Sequence, residues 1–332
     1  MTEFSDVKFC IGPMSKNIVD TIINYSNDNE IKMILIPSRR QVEMDGGYVN
    51  NWKTKDFCQY VRSKTNNIYI ERDHGGPGQG TFSDDGLESF KEDSKYLDII
   101  HIDPWKKFSN YKDGLEKTIE LINYCYKLNN NLYFEVATEE AIRPFTVEEL
   151  RNLMNDLKKN LDEKIYERIV YLVIQSGTSL KEGKNTGKYN NERLKNMISL
   201  SREFNILTKE HNGDWISDFE ISDKFSNNLD ALNIAPEFGM IETKVILNEL
   251  KKKNDLENIE KFFKLCHESK KWVKWVNKDF DPFKNKEKLI EICGHYVFTK
   301  TGLLEIKSTL TDIDSKINKK IYERLEHIYK LI

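Results

Sequence analysis

The sequence predicts an α/β fold, a (β/α)8 or TIM barrel with additional C-terminal helices, on two observations. Eight short apolar runs rich in Val, Ile, Leu and aromatics recur through the first two thirds of the chain, and nearly every run is followed by a stretch of helical periodicity. Several runs lack alternation of apolar and polar residues, as parallel strands covered on both faces do. Repeated β/α alternation of this number favours a closed barrel; an open doubly wound sheet is the second reading.

The runs are Val7 to Ile11, Ile31 to Ile36, Ile68 to Ile70, Ile99 to Ile102, Leu132 to Val136, Ile169 to Ile174, Ile206 to Leu207 with its continuation, and Ala231 to Ile234. Between and after them the apolar spacing predicts helices at Ser15 to Tyr25, Lys55 to Ser63, Asp85 to Lys95, Tyr111 to Leu128, Thr146 to Asn160, Asn191 to Phe204, and Glu242 to Lys251. Thr146 opens a T-V-E-E capping box. The barrel is assigned to residues 1–252 and a helical extension packed on it to residues 253–332, where helical pattern is interrupted by Trp272, Trp275 and Phe280. The extension reads as a flank appendage, with an oligomer contact or a cap over the site as the sharper options.

Composition narrows the function classes. The chain has 332 residues, 39% of them hydrophobic and 32% charged, enough for a core and a solvated surface. Fifty-one Lys and Arg stand against 54 Asp and Glu, a formal charge of -3, with the basic residues scattered among acids. No nucleic-acid stripe or polybasic membrane anchor is expected. Five widely spaced cysteines without a C-x-x-C read as reduced thiols of a cytoplasmic protein. The MTEFSDVKF start lacks a signal-peptide pattern, and no apolar stretch reaches membrane-spanning length.

The active site of such a barrel is built from the loops that follow its strands. Those positions carry Pro37-Ser38-Arg39-Arg40-Gln41 and Gly46-Gly47-Tyr48, then Glu71-Arg72-Asp73-His74-Gly75-Gly76-Pro77-Gly78, then His101-Ile102-Asp103-Pro104. Further on come Glu135-Val136-Ala137-Thr138-Glu139-Glu140, Gln175-Ser176-Gly177, Lys209-Glu210-His211-Asn212-Gly213-Asp214 and Pro236-Glu237-Phe238-Gly239. Carboxylates crowd together at a cost unless a cation or hydrogen bonds compensate. His74 and His211 beside carboxylates therefore suit a divalent metal such as zinc or manganese. His101 alternates with Asp103 and is read first as a locally hydrogen-bonded residue facing away from the lumen. Asp73 and His74 point to opposite faces of a regular strand, so both can act only if the backbone turns there; the glycines that follow permit such a turn. No phosphate-loop motif is present.

These motifs resemble the class II D-tagatose-bisphosphate aldolase Z-subunit family, described as non-catalytic. More distantly they resemble the metal-dependent class II fructose/tagatose-bisphosphate aldolases and tagaturonate-type epimerases. The resemblance runs in order over roughly residues 7 to 240. Gln41-Val42 with Gly46-Gly47-Tyr48 is similar to the family's Q-V-N-x-x-G-G-Y segment, Lys55-Asp56-Phe57 to its next helix start, and Asp73 to Pro77 to its D-H-x-G-P strand end. Glu135 to Glu140 is similar to G-T-E-E, Val173 to Gly177 to V-x-Q-x-G, and Glu210 to Asp214 to H-x-T-D. The resemblance implies Asp73 as general acid/base, His74 as first metal ligand, His211 as a later one, and a shell of His74, Glu135, Gln175 and His211. Gln175 stands where a catalytic class II aldolase has a histidine. Ala235 to Gly239 holds neither the Gly-Ser phosphate loop nor the N-x-D-T segment.

The expectation is a metal-dependent lyase or isomerase of carbohydrate metabolism, class II aldolase-like or a sugar epimerase, with a divalent ion, zinc ahead of manganese or magnesium. It acts on a sugar or sugar phosphate through an enediolate-type intermediate. Asp73 moves the proton, with Glu135 or Glu237 as a second acid/base. Arg39, Gln41, Asp103, Lys209 and Asp214 contact substrate, and Arg40, Lys106, Lys107, Arg143 and Lys181 are further candidates for a phosphate. The rival expectation is a non-catalytic subunit that stabilises a catalytic aldolase partner. Co-purification with a second aldolase chain supports this rival, and a stable homo-oligomer with bound metal weakens it. The third is a metal-free carbohydrate-binding barrel in which Tyr48, Trp52, Trp105 and Trp215 stack on a sugar.

Overall fold

The computed structural model describes residues 3–332; Met1 and Thr2, the start of the segment read as leaderless, lie outside the described residues. Eight parallel strands close into a barrel: β1 (Phe9–Ile11), β2 (Met33–Leu35), β3 (Ile68–Gly75), β4 (Ile99–Ile102), β5 (Tyr133–Val136), β6 (Ile169–Ile174), β9 (Leu207–Glu210) and β10 (Ala231–Ile234). A small hairpin, β7 (Leu180–Lys181) with β8 (Lys184–Asn185), rises from the loop after β6. The expected strands all form. β3 runs on to Gly75, beyond the predicted Ile70, because its polar end pairs with strand β4 and, through Asp73, with Ser38 of the loop after β2.

The outer layer holds α1 (Lys16–Asp28), α2 (Thr54–Arg62), α3 (Leu87–Tyr96), α4 (Tyr111–Leu128), α5 (Val147–Asn160), the short α6 (Glu163–Tyr166), α7 (Asn191–Glu203), α8 (Asp218–Ser226) and α9 (Pro236–Lys252). Thr146 and Glu149 form the predicted capping box. Helix α8 was not anticipated, although Ser217 and Glu220 are a capping box that marks its start. Helix α9 begins at Pro236 rather than Glu242. Its N-terminal amides are capped by the distant Asp214, whose Oδ1 accepts from Ala235 N at 2.9 Å and Glu237 N at 2.7 Å.

Beyond residue 253 the chain forms α10 (Leu256–Glu268), α11 (Lys286–Cys293), α12 (Thr301–Ser308) and α13 (Ile313–Tyr329), and α13 packs on α1 and α9. Glu237 Oε1 accepts from Arg324 Nε of α13 at 2.6 Å, tying this last helix to the start of α9. All five cysteines are buried thiols. Among the described residues no helix is long and apolar enough to cross a membrane.

Inside the barrel the side chains form layers. Phe4 plugs the N-terminal end against Tyr69, Tyr133 and Tyr171, with Val7, Ile34, Ile99 and Ala231 around it. Above this apolar floor lies a charged layer: Lys209 Nζ pairs with Glu71 and, at 2.5 Å, with Glu135 Oε2, all three at most 1% exposed. The histidines stand above it.

Candidate functional site

The end of β3 explains how Asp73 and His74 come to face the same way. Arg72 pairs with Ile100 of β4 and Gly75 with Ile102, so Asp73 and His74 together oppose the single residue His101. This is a bulge of two residues against one. His74 absorbs the turn with φ of +48°, a left-handed conformation that a non-glycine residue adopts only when its surroundings hold it there. Gly75 makes room for it: a Cβ would come within 2.6 Å of the Phe90 ring and 2.8 Å of the His101 carbonyl. The turn that the alternation argument demanded thus falls at His74 itself.

Asp73, His74, His101 and His211 form one cluster whose ligand-capable atoms all lie within 4.8 Å of one another. The three imidazole centroids are 5.1 Å apart in every pair. Each ring has one nitrogen anchored outward. His74 Nδ1 bonds Asp103 Oδ2 at 2.6 Å, His101 Nε2 donates to the Ala137 carbonyl at 2.7 Å, and His211 Nε2 bonds Glu135 Oε1 at 2.8 Å. The other nitrogens turn to the centre, where Asp73 Oδ1 lies 3.8 Å from His74 Nε2 and 4.0 Å from His211 Nδ1. Glu139 Oε2 is 4.0 Å from His74 Nε2. Anchoring the outer nitrogen to a carboxylate or carbonyl aims the inner one at the centre, as in metal-ligating histidines, although the inner Nδ1 of His101 also accepts from His74 N at 3.3 Å.

Electrostatics agree with that arrangement. Burial disfavours a charged His74, but Asp73, the Asp103 hydrogen bond and Glu139 outweigh it and hold its pKa well above the ordinary value, so with no cation nearby a proton balances the carboxylates. Burial pulls His101 down against Glu135 and Asp103, keeping it neutral. Glu135 stays ionised: burial opposes its charge, but Lys209, His101 and His211 overcome it. Its neighbour Glu71 is pushed well up by burial and by the Glu135 charge. Glu71 holds the proton because it faces one cation where Glu135 faces Lys209 and two imidazoles.

The set brought together differs from the expected one. His101 enters, against the expectation that it faces away, because the β3 bulge sets Asp73 and His74 against it; Asp103, two residues on and so on the same face, anchors His74 from outside. Glu135 lies beneath the cluster, gripping His211. Gln175 is elsewhere: its Nε2 donates to the Thr138 and Arg143 carbonyls at 2.7 and 2.8 Å, and its Oε1 accepts from Phe145 N at 2.9 Å. That amide braces the β5 loop and has no atom left for an ion.

The expected substrate contacts also scatter. Asp103 touches His74, while Lys209 is sealed in the layer below. Arg39 spans Glu43, Asp84 and the Gly76 carbonyl, bracing two loops. Gln41 accepts from Ser38 N at 2.8 Å at the ends of β1 and β2. Asp214 caps α9, and Glu237 holds Trp215 N and Arg324. Trp105 is fully buried against Phe145, and Trp52 packs on Phe57 and Tyr60, closing the core. Glu139 was not singled out beforehand; its place in E-V-A-T-E-E at a strand end was the available signal. A surface cavity lined by Lys8, Arg202, Asp230 and Leu331 lies at the opposite, N-terminal face, which in this fold serves stability.

No protein-family model matches the chain, and no curated protein matches its sequence. Its fold is shared with solved structures. A probable tagatose 6 phosphate kinase from Sinorhizobium meliloti 1021 superposes with a TM-score of 0.76 at 10% identity, covering 98% of this chain and 100% of that one. Fructuronate-tagaturonate epimerase UxaE from Cohnella laeviribosi gives 0.68 at 10% identity, over 100% of this chain and 82% of that one. Fructose-bisphosphate aldolase from Campylobacter jejuni gives 0.62 at 10% identity, over 98% and 90%. The chain has the fold of this probable sugar-phosphate kinase, this sugar epimerase and this aldolase.

Proposed function

We propose that the chain is a metal-dependent carbohydrate enzyme, class II aldolase-like or a sugar epimerase, acting on a sugar or sugar phosphate through an enediolate-type intermediate. The observation that carries this is the convergence of three inward imidazole nitrogens on Asp73 at the strand ends. Such a donor set fits a divalent cation, zinc ahead of manganese or magnesium because nitrogen ligands dominate. His74, His101 and His211 would hold it, and when bound it would stabilise negative charge developing on a sugar's carbonyl and hydroxyl oxygens. The chain's own residues do the rest. Asp73, partly exposed and without a hydrogen-bonded partner on its carboxylate among the described residues, takes the proton from a substrate hydroxyl in cleavage, or from the carbon beside the carbonyl in epimerisation. Glu139, 4.0 Å from His74 Nε2, is the second acid/base in this reading, since Glu135 and Glu237 are engaged in holding His211 and Arg324.

The test is elemental analysis of protein purified without chelator, with His74→Ala and His211→Ala alongside, followed by a screen of ketose phosphates and sugar acids. Near-stoichiometric metal, lost in both variants, and turnover reduced by about 10²–10⁴ in Asp73→Asn, are expected. Absence of metal from the wild type after reloading with zinc or manganese would instead favour a barrel that stabilises a catalytic aldolase chain. Full turnover in Asp73→Asn would refute the proton-transfer role.

A further inference from the structure

We infer that the C-terminal extension completes the site, with Lys274 joining Arg40 and Lys106 in an anion subsite at the barrel mouth that receives a phosphoryl group of the substrate. It rests on reading the histidine cluster as the place where a sugar is turned over.

The turn that carries Lys274 is fastened across the C-terminal face of the barrel. The Trp275 carbonyl accepts from Glu182 N of the hairpin loop at 2.8 Å, and Asn277 Nδ2 donates to Glu182 Oε1 at 2.8 Å, which fixes one side to the loop after β6. Trp275 Nε1 donates to the Tyr296 hydroxyl at 3.2 Å, the Tyr296 ring lies 5.0 Å from Tyr48, and Tyr48 N donates to the Arg40 carbonyl. The other side is thereby fixed to the loop after β2. Lys274 Nζ sits between these anchors, 4.4 Å from the Trp275 ring and 5.6 Å from the Tyr296 ring. Arg40 and Lys106 face the same space from one glycine loop: Arg40 Nε donates to the Gly80 carbonyl at 3.2 Å and Lys106 Nζ to the Gly78 carbonyl at 3.3 Å.

Three other cations at these strand ends are paired. Arg39 has Glu43 and Asp84, Arg72 has Asp93, and Lys209 has Glu71 and Glu135. Arg40, Lys106 and Lys274 have no carboxylate partner among the described residues, and the two terminal nitrogens of Arg40 make no protein hydrogen bond there. Solvent reaches Lys274. Partial desolvation beside the Trp275 and Tyr296 rings, followed by the charges of Arg40, Lys271 and Lys106 and opposed by Glu139, pushes its ammonium down to about 8. Glu139 links them to the centre through its 4.0 Å approach to His74. Like charges converge at a cost that an anion removes. A free guanidinium fork with two ammonium groups matches the several oxygens and double charge of a phosphate monoester better than a single carboxylate.

The experiment titrates inorganic phosphate, with acetate as the carboxylate probe, into the wild type, Lys274→Met, Arg40→Met and the distant exposed Lys112→Met, and measures metal content in the same samples. Saturable phosphate binding is expected, weakened about tenfold or more in Lys274→Met and Arg40→Met, the factor that losing one charge-assisted contact gives. Lys112→Met should bind as wild type does. Phosphate binding indifferent to Lys274, or acetate bound as tightly as phosphate, would overturn the subsite. Metal-free wild type whose phosphate binding still depends on Lys274 would instead overturn the metal reading and leave the subsite standing.

Discussion

Replacing Lys209 with methionine removes the only Lys or Arg cation, among the described residues, from a layer holding two carboxylates, Glu71 and Glu135, each 1% exposed. Breaking a buried ion pair from one side costs about 3–5 kcal/mol, because the remaining charge is stranded in a poorly solvating interior. For a chain of this size that corresponds to a fall in melting temperature of roughly 6–10 °C, at about 2 °C per kcal/mol. The deficit should depend on pH. Lys209 is the largest force holding Glu135 ionised against burial, so in the variant the Glu135 carboxyl titrates higher. Protonation then relieves the stranded charge, and the gap between variant and wild type narrows as pH falls from 8 towards 5. Calorimetry on both proteins, stripped of metal so that ion binding does not contribute, measures this directly. A variant melting within about 2 °C of the wild type at pH 8 would show that the triad is not held by its charges.

Two further outcomes follow from the same geometry. Glu135→Gln should leave stability nearly unchanged, because Glu71 can give up its proton and take over Lys209, yet lower metal affinity by about 10–100-fold through the loosened His211; unaltered affinity in a competition titration would contradict the anchoring role. Burial, and then Glu237, push the Asp214 carboxyl up to about 8 against its backbone hydrogen bonds. An acid raised on folding supports the fold below its unfolded value of about 4, and that support is lost as pH climbs through the folded value. Asp214→Asn keeps the accepting oxygen and should therefore lose less stability than wild type as pH rises from about 4 to 8; parallel melting curves across that range would sink the assignment.

Much of the architecture was readable along the chain, since strands and helices are specified by spacing and capping among near neighbours. The apolar runs announced all eight barrel strands, and Thr146 with Glu149 announced α5. Helix α8 carried the same kind of signal in Ser217 and Glu220. The start of α9 did not, because its cap, Asp214, comes from another strand end.

By itself the sequence determined that titratable groups end most strands, and that glycine follows Asp73 and His74 where the chain must turn. Only the tertiary structure decided which of those groups share a centre. His101 joined because a bulge in β3 sets two residues against it, and Gln175 was taken by the carbonyls of Thr138 and Arg143. Lys274 reached the mouth because Glu182 and Tyr296 pin its turn there. Each of these outcomes depends on strand register and on contacts between distant segments, and a local pattern of three or four residues carries no record of either.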